Sequence, residues 1–511
     1  MKPREFAGIS MAGMTMETPD AGRAGRLARI VADSRLAQFA CLLAFATLIR
    51  CPAWGEWNFG IDDQFYALVG ERLAKGDLLY VDIWDRKGPL LYLIFTAIAL
   101  VSPTMLAYQL VATLSAALGA YGVNRIARMI ATPGSAMLAA LSYLALLSRF
   151  EGDNLEAGVF FNTLIIAAAW LLLSRFDRLR EGRIDAGLLT GFFCAGMGIA
   201  IKQTVALEGA LFGLTAILLL ARSDRSVIGV AWRAGLLALA GSLPMLATGL
   251  FYWMDGHFAD LWNAMATSNF ARGYADPAIR VQRIFTMAGM LGIPMVFAGI
   301  GLHALHRRQE SRPVARLIAL WAFVALALIF SFPNIYVHYA QSALAPLAIL
   351  CAGYFAHRRP VWPGLVAVIG LSLALSGTFH LHDRWRARPA AAALVGYVDK
   401  ETPQKRLLVW GAPNYLYAKI GADPVSPLAF SPHLYEGREW TGLDERREVR
   451  RILAVRPETV VAQTPLPSSP LNEATVAMVD AYTRTCRKQR RFTIYDHNGE
   501  QVHTVFSACA G

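Results

Sequence analysis

The chain has 511 residues, of which 55% are hydrophobic and 17% charged, and it carries a formal net charge of +12 at pH 7. An ordinary soluble domain holds about 25% charged residues, so this composition excludes a soluble globular enzyme and points to a membrane protein. The basic excess does not require nucleic acid, because cytoplasmic loops of membrane proteins carry the same bias, and no nucleic-acid partner is expected.

Residues 1–35 are polar and Arg-rich, too long a lead for a signal peptide, and no small-residue cleavage site follows the first apolar run. They are expected to form a cytoplasmic tail before a retained first span. Apolar runs at 36–49, 205–220, 234–253, 284–302 and 361–379 approach or reach the roughly 20 residues that cross a bilayer as helix. In lipid a helix satisfies its own backbone hydrogen bonds, so a polytopic α-helical domain is expected over 36–379.

Basic clusters mark the cytoplasmic side. They lie in the amino-terminal tail, at Arg125 with Arg128, at 175–183, 222–233, 306–316 and 357–359. All face one side only if the short apolar run 89–101 does not cross but lies along the outer leaflet, with 105–123 as the second span. This gives about eleven spans, an inward amino terminus and an outward carboxyl terminus. It also gives a long exterior loop at 52–104 and a lipid-sized groove beside 89–101 and the short span 134–148.

That loop contains GIDDQFYALVGERLAKGDLLYVDIWDRKGPLLY (60–92), an unusual concentration of charge. Asp62 and Asp63 open an amphipathic helix with Tyr66, Val69 and Leu73 on one face, where Asp62 could also serve as a cap. Asp77 and Asp82 read as solvated. Ionisable groups beside apolar helices are functional candidates by default, and the other exterior segments are 149–158, the region of Lys202, 254–283 and 332–341.

After about residue 380 the apolar runs stop, and 380–511 reads as a small α/β domain outside. Strands are expected at 406–411 and 458–463, helices at 444–455 and 472–485, and a final hairpin turning at His497 and Asn498. That symmetry places Cys486 opposite Cys509, and an oxidising exterior permits a bridge. Cys41, Cys51, Cys194 and Cys351 lie in or beside spans and read as small apolar residues.

The series Asp62, Asp63, Tyr66, Gly76, then Asp85, Lys87, Pro89, Leu90 and Tyr92 resembles the first exterior loop of GT-C-type glycosyltransferases that use polyprenyl-phosphate sugars. This broad group includes protein O-mannosyltransferases and lipid A aminoarabinose transferases (bacterial glycosyltransferase family 39-like). Further echoes are Glu156 in NLEAGVFFNTL, Lys202 in GIAIKQTVAL, His338 and Tyr339 in VHYAQSALAPLAIL, and the VWGAP opening of an outer domain. Two features depart from the pattern: Gly88 replaces the first proline of Lys-Pro-Pro, and no Arg precedes the second span.

The resemblance implies transfer of a sugar from a polyprenyl phosphate to lipopolysaccharide, another envelope glycan or a protein, on the periplasmic face of a bacterial inner membrane. Asp62 is then the general base for the acceptor hydroxyl. Lys87, Lys202 and Arg86 meet the phosphate charge. Asp63, Asp85 and Glu156 orient these groups or hold a divalent metal, and Tyr66, Tyr92, His338 and Tyr339 line the substrate cavity. The competing expectation is a transporter, flippase or ligase of lipid-linked sugars. The absence of an evident internal repeat argues against a transporter.

Overall fold

The computed structural model describes residues 33–223, 226–358, 360–437, 440–466, 470–496 and 499–509. The expected amino-terminal tail up to residue 32 and the hairpin turn at His497 and Asn498 lie outside the described residues.

Among the described residues seven helices are long and apolar enough to cross a membrane: Arg35–Ala53, Met105–Ala127, Gln203–Ser223, Val227–Met254, Pro277–His306, Arg312–Ser331 and Val337–His357. Four shorter apolar helices accompany them, at Pro89–Val101, Ala157–Leu173, Ala186–Ile201 and Trp362–Ala374. Val337–His357 is the central one, with 89% of its apolar window buried. Its close partner is Pro277–His306. Gly301 and Gly353 meet where these helices cross, and a Cβ on either would overlap the other helix's backbone. Small residues let membrane helices approach this closely when lipid leaves no hydrophobic drive for association.

Three elements shape the region that holds the charged stretch 60–92 and Lys202. Helix α1 (Ile61–Ala74) starts after the extended Gly60. Helix α2 (Pro89–Val101) has 13 residues, about 20 Å at 1.5 Å per residue, which is short of a bilayer. Proline at its first position suits a helix start, where the missing N–H costs nothing. Helix α3 (Ala186–Ile201) ends at Lys202. The main neighbours of α2 are α1 and α3. The groove expected between 89–101 and 134–148 is therefore not the principal packing of this helix, because Gly70 lets α1 lie directly on Phe95.

The carboxyl-terminal segment forms a four-stranded sheet in the order β1-β2-β4-β3. Strands β1 (Leu407–Trp410) and β2 (Thr459–Gln463) pair in parallel, and β4 (Gly499–Ser507) runs antiparallel to β2 and to β3 (Lys488–Asp496). The parallel pair is buried almost throughout, as strands covered on both faces are. The exposed half of β3, Lys488 to Arg491, blunts the sheet edge with charge. Lys488 pairs with Ser507, and two residues beyond that pair on each strand Cys486 and Cys509 form a disulfide.

This domain sits on the segment that follows the first long helix, residues 56–84. Trp84 N donates to Pro427 O at 2.9 Å and Asn58 Nδ2 to Tyr495 O at 3.0 Å. Arg384 and Glu56, both buried, pair at 2.7 Å. Asn263 Nδ2 donates to Thr441 O at 2.7 Å, so the segment around Asn263 shares the seat.

Candidate active site

The two adjacent carboxylates of α1 serve different ends, because successive residues on a helix point about 100° apart. Asp62 faces out of the first turn. Its Oδ2 accepts from Tyr66 Oη at 2.9 Å and from Lys87 Nζ at 3.2 Å. No side chain caps this helix, so Asp62 is spent on these partners rather than on the backbone. Asp63 turns inward, where its Oδ1 accepts from Leu155 N at 2.8 Å. Beside it the buried Arg50 holds the same loop through Asn154 O at 3.0 Å. Asp63 therefore braces residues 152–155 and stands apart from the other candidates.

The Asp85–Gly88 turn is stitched to the end of α3. Gly88 N donates to Ile201 O at 3.0 Å, and Gln203 Nε2 donates to Arg86 O at 2.9 Å. A Cβ on Gly88 would overlap Ala200 O, so a side chain here would force the turn off α3. The glycine that departs from Lys-Pro-Pro is thus the residue that lets Lys87 and Lys202 share one site.

Lys87 Nζ lies 3.2 Å from Asp62, 3.9 Å from Asp85 and 4.5 Å over the Tyr66 ring. Asp62 and Lys87 each keep 19% of their side-chain exposure, enough for a substrate to reach them. Asp85 is buried, accepts from Tyr92 Oη, and has His433 Nε2 at 3.7 Å. Tyr66 and Tyr92 are themselves fully buried, so they buttress the two carboxylates rather than line open space.

Burial would raise the Asp62 carboxyl, but the charges of Lys87 and His338 outweigh it and hold it below the ordinary range. Asp85 is likewise held below the ordinary range, with Lys87 and His433 opposing burial. Burial would lower the Lys87 ammonium, yet Asp62, Asp85 and Glu156 raise it above its usual value. Glu156 is pushed up by burial against the pull of His338. Lys202 is pushed down to about 8, by burial first and then by the like charges of Lys87 and Arg272, against Glu156 and Asp62.

His338 Nδ1 is 3.1 Å from Glu151 and 3.8 Å from Glu156, so Glu156 meets a histidine. Donor atoms of Asp62, Glu156 and His338 all lie within 4.8 Å of one another. Two carboxylates and an imidazole converging in this way fit a divalent cation. Of Asp63, Asp85 and Glu156, only Glu156 stands in that group. On the far side Lys202 Nζ lies 4.7 Å over Tyr339 and 6.0 Å over Phe161, while Arg86 lies 5.5 Å over Trp84.

The fold thus gathers Asp62, Asp85, Lys87, Glu156, Lys202, His338 and Tyr339 from four separate stretches, and leaves Asp63 aside. Sequence reasoning missed Glu151, Arg272 and His433. The first two fall in exterior segments already marked for chemistry. His433 lies in SPHLY, which carries no signal of its own.

No protein-family model matches the chain, and no curated protein sequence matches it. Among solved structures, ArnT from Cupriavidus metallidurans bound to undecaprenyl phosphate superposes with a TM-score of 0.57 at 13% identity, covering 91% of this chain and 97% of that one. ArnT from the same organism in the apo state gives a TM-score of 0.58 at 13% identity, over 92% and 98%. The likeness runs through the helical part and the carboxyl-terminal domain together. This chain therefore has the GT-C fold, in the arrangement seen in ArnT.

Proposed function

We propose that the protein is a membrane glycosyltransferase that moves a sugar from a polyprenyl phosphate to an envelope acceptor on the outer face of an inner membrane. The acceptor is lipopolysaccharide, another glycan or a protein. The observation that carries this reading is the accessible Asp62–Lys87 pair at 3.2 Å, a proton acceptor beside a phosphate-binding cation. The ArnT structure with undecaprenyl phosphate supports the donor class.

In the proposed reaction the acceptor hydroxyl attacks the anomeric carbon, its proton passes to Asp62, and the electron pair of the breaking C–O bond leaves with the polyprenyl phosphate. In-line displacement inverts the anomeric centre. Lys87, Lys202 and Arg86 meet the charge that develops on the phosphate, where preorganised cations contribute most. Asp62 paired to Lys87 is a weak base. A phosphate drawing Lys87 toward itself removes the strongest influence holding the Asp62 carboxyl down, so donor binding strengthens the base.

A divalent cation, when bound, would be held by Asp62, Glu156 and His338 and would supply further positive charge toward the phosphate.

The test is transfer of radiolabelled sugar from a panel of polyprenyl-phosphate sugars into envelope material, using membranes with wild-type protein or Asp62→Asn at equal level. Loss by about 10²- to 10⁴-fold is expected for a general base. Undiminished transfer overturns the role of Asp62. Wild-type protein that accepts no donor turns the reading to a transporter of lipid-linked sugars.

A further inference from the structure

We infer that His433 of the outer domain is a positioning residue for the transfer site: it holds Asp85 so that Lys87 stays available to an incoming phosphate. The inference rests on the glycosyl-transfer reading above and adds to it a residue from the carboxyl-terminal domain.

His433 belongs to the short helix Pro432–Tyr435, far in sequence from the Asp-Arg-Lys turn. Its Nε2 nevertheless lies 3.7 Å from Asp85 Oδ1, with both side chains only 5% exposed. The ring is aimed by its surroundings. It stands edge-on to Trp84 at 4.9 Å and to Phe430 at 5.2 Å, and Phe430 in turn packs on Phe65 of α1 at 4.9 Å. The supporting backbone is fixed as well. Pro427 O accepts from Trp84 N, Ser431 Oγ accepts from Gly411 N at 2.8 Å, and Ser426 Oγ donates to Glu448 at 2.7 Å.

Asp85 is a buried carboxylate whose charge has to be met locally. Tyr92 Oη donates to Oδ2, Arg86 N donates to Oδ1 at 2.7 Å, and His433 approaches the same Oδ1. Lys87 stands 3.9 Å from the other oxygen of Asp85, a distance close to that of His433, and its nearer carboxylate is the accessible Asp62 at 3.2 Å. Without His433, Asp85 draws more heavily on the Lys87 ammonium, and a phosphate has to compete with a buried carboxylate for it. The outer domain thereby sets how freely the donor-binding cation can be used.

The alternative is that His433 only fills space between Trp84 and Phe430, and His433→Phe separates the two roles by keeping a ring and removing the nitrogens. Full-length protein in nanodiscs is titrated with sugar-free polyprenyl phosphate. Wild type, His433→Phe, His433→Gln, Asp85→Asn and the two double variants are compared, with melting temperature read alongside. His433→Phe is expected to weaken binding about fivefold, within the range for residues sharing one polar network, at a near-wild-type melting temperature. His433→Gln should recover part of the loss. Neither change should weaken binding further in Asp85→Asn. In transfer assays the KM for the donor rises while kcat holds.

Wild-type affinity in His433→Phe overturns the inference, as does an equal loss in the Asp85→Asn background. Where the Phe variant does not accumulate, the Gln variant and its double with Asp85→Asn read the same coupling. Wild type that binds the lipid phosphate but transfers no sugar defeats the transferase reading and leaves this test intact. Transfer by wild type with unchanged binding in His433→Phe defeats the His433 role alone.

Discussion

The ammonium of Lys87 stands 3.2 Å from the carboxylate of Asp62, across 25 residues of one segment. The pair joins the first turn of one helix to the turn before the next, and both side chains remain partly open.

Removing one member should therefore harm the fold as well as the chemistry. Lys87→Met leaves Asp62 and Asp85 without their shared cation, and breaking an enclosed pair in this way costs about 3–5 kcal/mol. A marked fall in melting temperature in detergent is expected, together with loss of polyprenyl-phosphate binding. Adding Asp62→Asn should restore much of the stability and none of the binding.

Gly88→Ala tests the close approach to α3. The new methyl would overlap Ala200 O, so the turn has to move and the Gly88–Ile201 hydrogen bond is lost. Overpacking of this kind costs about 1–3 kcal/mol. Because the turn carries Lys87 away from Lys202, donor affinity should fall further than in a variant of equal stability elsewhere. Binding compared at matched melting temperature checks this.

Lys202 predicts a pH dependence. Its ammonium, lowered to about 8, loses its proton on the alkaline side, so kcat/KM for the donor should fall as pH rises through about 8, the free-enzyme value being what this ratio reports. Lys202→Arg keeps the charge and should move the fall to higher pH. Because the folded value lies below the ordinary 10.5, the charged form costs stability below pH 8, and that cost is relieved as pH rises toward 10.5. Lys202→Met should accordingly stabilise the protein at pH 7 by about 1–3 kcal/mol while weakening donor binding, a trade of stability for function.

Within the spans, Trp321 Nε1 donates to Glu208 Oε1 at 2.6 Å, and both residues are buried. Trp321→Phe leaves that carboxyl without its donor, at about 1–3 kcal/mol. Trp321→Phe combined with Glu208→Leu should recover most of the loss, since removing both polar partners is close to neutral. Thermal melts of the single and double variants decide it.

Much of the site was legible because its chemistry is local. Asp62, Asp85 and Lys87 sit in one stretch of the sequence, and the short run 89–101 forms a helix of 13 residues. The strands and helices of the outer domain followed from short apolar runs and turn residues. Asp62 and Asp63 look equivalent as adjacent letters, and only the helical rotation between them, together with Arg50 arriving from the first span, assigns them different roles. His433 could not be found from pattern, since it lies in no motif and reaches the site through tertiary packing, and Arg272 was marked only through the segment 254–283 that carries it. The metal-fitting group joins Asp62, Glu156 and His338 from three distant segments, a juxtaposition that no spacing rule encodes.

The contacts that seat the outer domain on the first loop bear on how such proteins can be recombined. Trp84 with Pro427, Asn58 with Tyr495, and Arg384 with Glu56 make the carboxyl-terminal domain one wall of the site rather than an appended passenger. A chimaera cut at residue 380 would bring a foreign wall against a native floor. The exchangeable unit includes residues 56–85 along with the outer domain, and grafts that move both together should be the ones that keep their transfer site intact.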